Sequence, residues 1–367
     1  MNPLCTYQEI LDYIDTFDVV AYGHTRNHLT GGVSKLSPYI THGVIDLPTI
    51  RDRVLTRYSY SEAAKFIQEL AWREYFQKVW ATKGDAIFSD LRFPRTDWAH
   101  FEIIQAHLDA ATGITVIDAA LDELFQTGYM HNHARLWTAM LACNVGKAHW
   151  FEMGRFLYYH LLDGDLASNM LSWQWVAGTS SSKRYVANQS LINVCSANFE
   201  TNTYLDHDRE QVGTGSIPAP LLAHTPFPYT MSYPNTDTIN DLALETIYVY
   251  HPWGLDPLWR AGEPGQRILV IEPRVFDRFP ISPQVMDFIV TVARTHIPGI
   301  KIFVGNVESI PGITKAAAIY SKTHPTTKHW PGTTDTPRDL FPTVTGYFPS
   351  FFAFWQTCEK QNSTLPQ

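Results

Sequence analysis

Polar and aromatic side chains recur at helical spacing in three segments of the first half of the chain. Residues three or four positions apart lie on one face of a helix, so each set forms a stripe. The sets are Phe66, Glu69 and Arg73, with Trp72 beside them; Tyr129, Asn132 and Arg135; and Asp165, Asn169 and Trp173, with Asp163 half a turn earlier. Carboxylates, amides and guanidinium groups on such stripes can bind a polar ligand or pair with one another.

A fourth segment, TGGVSKLSPYITHG, combines small and hydroxyl-bearing residues with Pro38, which suits the first turn of a helix. Backbone amides and hydroxyls at a helix start can bind a phosphate. Each feature also has an ordinary interpretation: hydroxyls cap helices, charged residues form structural ion pairs, and tryptophans fill cores. Spacing alone therefore predicts a helical protein with a pocket for an anionic ligand.

Composition restricts the class of protein. Of 367 residues, 45% are hydrophobic and 17% charged, which is typical of a folded protein. Lys and Arg number 28 against 36 acidic residues, so any contact with nucleic acid must come from a local basic patch. No run of about 18 apolar residues and no basic leader is present, so we expect neither a membrane span nor a signal peptide.

The four cysteines are scattered, without the short spacings that hold a metal. They are Cys5, Cys143, Cys195 and Cys358. We therefore expect free thiols, a cytoplasmic protein and no metal site.

The hydrophobic pattern divides the chain into three consecutive segments. Residues 1–200 are predicted to be helical, with one helix capped at Ser59–Glu62 and ended by Gly84. Three further helices, TVIDAALDELFQTG, HNHARLWTAMLACNVG and HWFEMGRFLYYHLLDG, each end in a glycine that suits a left-handed cap. Residues 201–245 are predicted to be a linker or irregular connection.

Residues 246–367 have the pattern of a small α/β region. The runs RILVIEP and KIFVG predict strands, and PQVMDFIVTVARTHI between them predicts a helix. This is a βαβ unit of a small parallel sheet, without a glycine-rich dinucleotide fingerprint. The predicted fold class is therefore mainly α, followed by a small α/β C-terminal region.

Four motifs together are much more specific than their parts. In order, TGGVSKLSPYITHGVI, FIQELAWREYF, GYMHNHAR and LLDGDLASNMLSWQWVAGT resemble the flavin-binding domain of the photolyase and cryptochrome family. The resemblance runs from about Tyr22 to about Asn193, roughly half of the chain. It implies a helical domain that binds FAD bent into a U, at the bottom of a hole that admits a flipped-out DNA lesion.

The resemblance assigns cofactor-binding roles to one set of residues. These are Tyr22, Ser34, Lys35, Leu36, Ser37, Phe66, Arg73, Asn132, Arg135, Asp163, Gly164, Asp165 and Asn169. Asp163 is expected to pair with Arg135 across the isoalloxazine ring, and Asn169 to face its N5 atom as a neutral amide. Val33 replaces a threonine of the phosphate loop, and Phe66 replaces a tryptophan.

The same resemblance implies catalytic roles. Glu69 is similar to the glutamate that hydrogen-bonds a pyrimidine dimer, Trp72 to the aromatic platform under the dimer, and Asn132 to a lesion contact. Trp173, Trp150 and Trp98 match, in this order outward, the tryptophans that carry electrons to the flavin, with a one-residue gap at Trp98. Asn132 stands where chemistry on (6–4) photoproducts needs a histidine, which favours the cyclobutane dimer.

Some features depart from the family pattern. His133 stands where many DNA-repairing members have arginine, and the usual N-terminal α/β antenna domain is expected to be missing. Lys183, Arg184 and Arg135 could supply part of a DNA-facing patch or be ordinary surface charge. Two functions stay open: a photolyase acting on DNA that contains pyrimidine dimers, and a cryptochrome-like photoreceptor with a signalling partner. A flavin-binding relic with neither activity is a third.

Overall fold

The computed structural model describes residues 6–362, which form two compact units. The first unit comprises residues up to Val19, Ser34–Tyr75 and the chain from Thr230 onward; the second comprises Val20–Val33 and Phe76–Tyr229. This interleaved division differs from the three consecutive segments described above, because the C-terminal part of the chain groups with helices from the first 75 residues.

Helices predominate in the first two hundred residues and parallel strands in the C-terminal part. The helices are α1 (Tyr7–Thr16), α2 (Val19–Thr25), α3 (Ser37–Thr41), α4 (Leu47–Leu55), α5 (Tyr60–Lys83), α6 (Gln105–Leu108), α7 (Thr115–Thr127), α8 (Asn132–Met140), α9 (Trp150–His160), α10 (Leu166–Ala177), α11 (Gln189–Ser196), α12 (Pro273–Phe276), α13 (Pro283–His296) and α14 (Phe351–Asn362). The strands are β1 (Ile103–Ile104), β2 (His224–Thr225), β3 (Thr246–Tyr250), β4 (Gln266–Ile271), β5 (Lys301–Val304), β6 (Ala318–Lys322) and β7 (Thr333–Asp335). A mainly α fold with an α/β C-terminal part is thus confirmed.

Residues 201–245 contain only short 3₁₀ turns and β2. The three described cysteines carry free thiols, and Cys5 lies outside the described residues. No helix within residues 6–362 is both long and apolar enough to cross a membrane.

The predicted start of α5 is confirmed. The Ser59 amide donates to Glu62 Oε2 at 2.8 Å, and the Glu62 amide donates to Ser59 Oγ at 3.4 Å. This reciprocal capping box satisfies two amides that the first helical turn leaves without partners. The helix ends at Gly84, which has a φ of +54°, and α7 ends at Gly128 with a φ of +70°. These local signals decide both helix ends.

Two other predicted glycine caps are wrong. Gly146 has a φ of −78° and follows a π-helical turn, Leu141–Val145, that continues α8. Helix α9 ends at His160 because Leu161 is extended, with φ −78° and ψ 122°, so it stops before Gly164. Neither glycine adopts the left-handed conformation that a glycine cap requires.

The C-terminal strands form a five-stranded parallel sheet in the order β5-β4-β3-β6-β7. The predicted pairing of β4 with β5 around α13 is confirmed, with Leu269 beside Ile302. One buried cluster of this unit comprises Leu242, Ile247, Val249, Ile268, Val270, Phe303, Val307, Ile310, Ile313 and Trp330. Continuous apolar runs are typical of parallel strands, since both faces of such sheets are covered.

The carboxyl ends of β3 and β4 border a small pocket that is partly open to solvent. His251, Trp253, Glu272 and Trp330 are among its lining residues. Trp253 stacks on His324, with ring centroids 4.6 Å apart. Burial lowers the pKa of His251 to about 3, so this imidazole is neutral at pH 7.

Candidate functional site

The candidate residues of α5 lie on one side of this helix in the first unit. Glu69 pairs with Lys65 one turn earlier, with Nζ 3.4 Å from Oε1. Arg73 donates from Nη1 to Thr41 Oγ1 at 2.6 Å, which ties α5 to α3. Phe66 is 3% exposed and therefore part of the core. The structure thus keeps a carboxylate and an indole within one turn of each other, at positions 69 and 72.

Trp72 is half-buried and stacks on a residue that the sequence did not single out. The ring of Phe351, at the start of α14, lies parallel to the indole, with centroids 3.6 Å apart and an interplanar angle of 10°. Phe351 is 2% exposed, whereas the neighbouring Phe352 is 64% exposed. Phe351 therefore covers one face of Trp72.

The hydroxyl-rich loop leads into α3 as predicted, with Pro38 in the first turn. Leu36 is buried, and its amide donates to Ser34 Oγ at 3.4 Å. Lys35 adopts a left-handed φ of +52°. Helix α3 has only five residues, and no side chain caps it. The Ser37 hydroxyl therefore has no capping role at this helix start.

In the second unit, Arg135 and Asp163 form the predicted ion pair. Arg135 Nη2 donates to both carboxylate oxygens, at 2.9 and 3.0 Å, and Arg135 Nε donates to Met130 O at 2.8 Å. Asp163 is 7% exposed. A carboxylate buried this far requires such a partner, because desolvation of an unpaired charge is costly.

Asp165 is the N-cap of α10, a local role that its sequence context indicates. Its Oδ1 accepts from the amide and hydroxyl of Ser168, both at 2.7 Å, and its Oδ2 accepts from Gln77 Nε2 at 2.6 Å. A Cβ at Gly164 would lie 3.0 Å from Leu161 O, so the chain before the cap has little room for a side chain. Asp163 and Asp165 are therefore held in fixed positions on either side of Gly164.

The amide of Asn169 has a defined orientation. Its Nδ2 donates to Gly154 O at 2.9 Å, across to α9. Among the described residues no donor is hydrogen-bonded to Asn169 Oδ1. Because one end of the amide is already used by Gly154, the side chain offers its neutral carbonyl oxygen to a ligand.

Asn132 begins α8 and is exposed, and the two flanking histidines are neutral. His131 caps the helix, with Nδ1 accepting from the His133 amide at 3.1 Å. Burial, followed by the charges of His133 and Arg135, lowers the pKa of His131 to about 4. Burial also lowers the pKa of His133. His131 Nε2 is buried and has no hydrogen-bond partner among the described residues.

The three candidate electron-transfer tryptophans have different surroundings. Trp173 is 2% exposed and Trp150 is 0% exposed. A Cβ at Gly154 would lie 3.4 Å from Trp173 Cγ, so Trp173 packs on α9 one turn after Trp150. Trp98 is half-buried, and the His149 ring is close both to Trp98 and to Trp150, at centroid distances of 5.0 and 5.5 Å.

Two charged residues that sequence reasoning missed contact this series. Trp150 Nε1 donates to Asp90 Oδ1 at 2.7 Å. The Arg95 guanidinium lies over the Trp98 ring, 3.8 Å from its centroid. Asp90 lies 60 positions from Trp150 in a segment without regular structure, so no local sequence pattern could have shown the first contact.

The second unit therefore supplies groups that fit a flavin. Tyr22 is half-buried in α2. The paired Arg135 and Asp163 offer a fixed donor and acceptor, and Asn169 offers a carbonyl oxygen. The buried His131 Nε2 has no hydrogen-bond partner in residues 6–362, which is the condition expected of a group whose partner is a ligand.

Comparison with known proteins identifies this domain. The model of the family described as the FAD binding domain of DNA photolyase matches residues 66–205. The deoxyribodipyrimidine photo-lyase of Streptomyces griseus is 34% identical over 175 residues, which cover 47% of this chain and 36% of the relative. A cryptochrome DASH of Gloeobacter violaceus is 32% identical over 177 residues, covering 45% and 35%.

Solved structures are also similar over part of the chain. A Synechocystis cryptochrome covers 51% of this chain and 41% of its own, with 24% identity and a TM-score of 0.44. A class III photolyase from Agrobacterium tumefaciens covers 47% and 37%, with 23% identity and a TM-score of 0.42.

The matched residues thus form a flavin-binding domain whose cofactor is FAD. This part of the chain is similar to photolyases and to cryptochromes. It spans 36–38% of the length of the first curated relatives that it matches.

Proposed function

We propose that this protein is a DNA photolyase that repairs cyclobutane pyrimidine dimers under blue or near-UV light. Bound reduced FAD would supply the chemistry, a light-driven electron transfer that splits the dimer and is then reversed. The protein binds and orients the cofactor and the lesion, and it excludes water from them.

The observation that carries this proposal is the combination of Glu69 and Trp72 on one side of α5, within the matched domain. Glu69 is the hydrogen-bonding partner for the polar edge of the dimer. Trp72 is the stacking surface for its rings, and base–aromatic stacking contributes about 1–3 kcal/mol per base. Phe351 braces the indole from one face, which fixes the plane on which a base would stack.

The residues around the cofactor have separate roles in this proposal. Arg135 and Asp163 bind polar edges of the flavin, and their mutual ion pair keeps both side chains in place. Asn169 would hold the flavin through its carbonyl oxygen, because its amide nitrogen already donates to Gly154 O. A neutral amide here adds no negative charge beside a reduced flavin, so it favours the state that the reaction needs.

Contact with DNA depends on local charge, since the chain has a net charge of −8. Lys183 is exposed, while Arg184 pairs with Asp97 at 2.9 Å. His133 is neutral at pH 7 because its pKa is lowered, so it contributes no positive charge to a phosphate contact. We expect weak, salt-sensitive binding to undamaged DNA and added affinity from the lesion.

An illuminated repair assay tests the proposal. The purified, photoreduced full chain is mixed with an oligonucleotide containing a cyclobutane thymine dimer, and restored thymines are counted after blue light. Glu69→Gln should lower lesion affinity or repair yield about 10- to 100-fold, because a hydrogen bond to a charged group is lost. Glu123→Gln, an exposed change on α7, is the matched control. Absence of repair by the unmodified chain would refute the proposal.

A cryptochrome-like photoreceptor is the second candidate, and the Trp72–Phe351 contact favours it. An aromatic ring already stacked on the platform residue could be part of a signalling state of α14. In that case light would change the interaction of this protein with a partner, Trp173→Phe would abolish the change, and dimer-containing DNA would not bind. Phe351→Ala distinguishes the candidates, since a bracing role predicts weaker lesion binding and a blocking role predicts stronger binding.

A further inference from the structure

The middle tryptophan of the series has a base directly on its indole nitrogen. Trp150 is fully buried, and its Nε1–H donates to Asp90 Oδ1 at 2.7 Å. The other carboxylate oxygen accepts from the Arg95 backbone amide at 3.3 Å. The nearest imidazole nitrogen, His149 Nε2, lies 3.9 Å from Asp90 Oδ1, and burial lowers the pKa of His149. Asp90 is therefore a carboxylate with a short contact to a single oxidisable group.

The outer tryptophan has the opposite environment. A guanidinium, Arg95, lies 3.8 Å from the centroid of the Trp98 ring and is 5% exposed. Arg95 is held there by Asp97, by Asn144 Oδ1 at 2.9 Å and by Ala177 O at 3.0 Å. Trp98 Nε1 is buried, and it has no hydrogen-bond acceptor in residues 6–362.

These surroundings act in opposite directions on an oxidised indole. Loss of one electron makes the ring a cation and makes its N–H strongly acidic. A carboxylate on the N–H stabilises that cation and can accept the proton, whereas a guanidinium over the ring face repels it. Near Trp98, Arg95, Arg184 and Lys147 supply three positive charges, and Asp97 and Asp90 supply two negative charges, so an excess of positive charge remains.

We propose that oxidation in this series ends at Trp150, and that Asp90 accepts its proton. Trp150 gives up one electron to a one-electron oxidant, and its Nε1–H proton moves to Asp90 Oδ1. The products are a neutral indole radical and a neutral carboxylic acid, while Trp98 stays reduced. In the FAD-bound protein, the photoexcited oxidised flavin is the oxidant. The occurrence of this reaction under light therefore rests on the proposed flavin function.

Transient absorption of the FAD-bound full chain after a light flash tests this assignment. We expect the neutral, deprotonated tryptophan radical, whose spectrum differs from that of the protonated cation, and slower formation in D₂O. Asp90→Asn keeps the size of the side chain but removes the base. It should leave the protonated cation and shorten the lifetime of the radical about tenfold or more, as expected for loss of a charge-assisted acceptor.

Two phenylalanine variants locate the radical. Trp98→Phe should change its yield and lifetime less than about twofold, since the charge of Arg95 excludes Trp98 from the path. Trp150→Phe should remove the long-lived radical. Loss of the radical in Trp98→Phe, or a deprotonated radical in a folded Asp90→Asn protein, would overturn the assignment. Melting curves of both proteins establish that they are folded.

A second oxidant separates this inference from the proposed function. Azide radicals generated by pulse radiolysis oxidise tryptophan without flavin or light. If FAD photochemistry is absent, the share of the radical that Trp150→Phe removes should still be neutral and should depend on Asp90. If this Trp150-dependent share is unaffected by Asp90→Asn, the proton transfer is refuted, whatever the protein does with DNA.

Discussion

Replacement of Gln174 by methionine should destabilise the second unit through its hydrogen bonds. Gln174 is fully buried in α10. Its Nε2 donates to Ile87 O at 2.7 Å, and its Oε1 accepts from the Leu91 amide at 2.9 Å. The two bonds lie on either side of Asp90, so a single side-chain amide fixes the segment that carries this carboxylate.

The size of the effect follows from the two backbone groups. Methionine has a similar length but neither donor nor acceptor, so Ile87 O and the Leu91 amide lose their partner. An unsatisfied buried group costs about 1–3 kcal/mol. Ile87 is fully buried and Leu91 half-buried, and the apolar methionine offsets part of the loss. We expect the free energy of unfolding to fall by about 2–4 kcal/mol.

Urea unfolding at pH 7, followed by tryptophan fluorescence, measures this change. The midpoint should fall with an unchanged m-value. Gln356→Met, at an exposed position of α14, is the matched control and should change the free energy of unfolding by less than about 0.5 kcal/mol. A similarly small effect of Gln174→Met would refute the reasoning, because it would mean that the freed backbone groups find other partners without cost.

Three further predictions concern charge, backbone conformation and pH. Arg135→Met should lower the free energy of unfolding by about 2–4 kcal/mol and release FAD, because Asp163 stays buried and unpaired; urea unfolding and flavin absorbance measure this. Gly332 and Gly346 have φ of +93° and +90°, but only a Cβ at Gly332 meets an atom, a carbonyl oxygen of β6 at 2.3 Å. Alanine should therefore cost about 1–2 kcal/mol at Gly346 and clearly more at Gly332 in the same assay. Burial lowers the pKa of His107 to about 4. As the pH falls, His107 therefore binds a proton at a higher pH in the unfolded chain than in the folded protein. Stability should fall by about 3 kcal/mol between pH 6.5 and 4, and His107→Leu should remove this share.

Local signals account for the parts of the fold that could be predicted. The capping box at Ser59 and the left-handed Gly128 depend on neighbours within one helical turn. The end of α9 does not, because the chain must turn extended there before Asp163 reaches Arg135 and Asp165 caps α10. Helix ends set by such long-range requirements carry no glycine signal.

The sheet shows the same difference. Strands β4 and β5 could be predicted because they are β-branched runs on either side of an amphipathic helix. Strands β6 and β7, AIYSK and TTD, are short and partly polar, so their sequences alone do not predict strands. They form strands because β6 pairs with β3 and β7 pairs with β6. The grouping of the C-terminal part with α1, α3, α4 and the first part of α5 likewise depends on contacts far apart in sequence, such as Glu74 of α5 with the Leu340 amide.

In the candidate site, motif spacing predicted Arg135, Asp163 and Asn169, because Arg135 and Asn169 lie on the short helices α8 and α10 and Asp163 lies in the turn just before α10. It could not reveal Phe351, which is 279 positions from Trp72, or Asp90, since both contacts are made by segments without any chemical signature of their own. The motifs therefore contain the residues that provide the chemistry, such as Trp72 and Trp150. They do not contain Phe351 and Asp90, which modify the surroundings of those residues.

The tryptophan series illustrates this point most directly. Three identical side chains specify a path for an electron but no direction, since an indole has the same intrinsic redox chemistry at each position. Two unit charges 3.8 Å apart interact by about 4 kcal/mol at an effective dielectric constant of 20, and Asp97 offsets part of the charge of Arg95. Even half of that energy is enough to keep a positive charge off Trp98, while the carboxylate of Asp90 removes a proton from Trp150. The direction of electron flow is thus set by Asp90 and Arg95, and exchange of their charges should move the stable radical outward to Trp98.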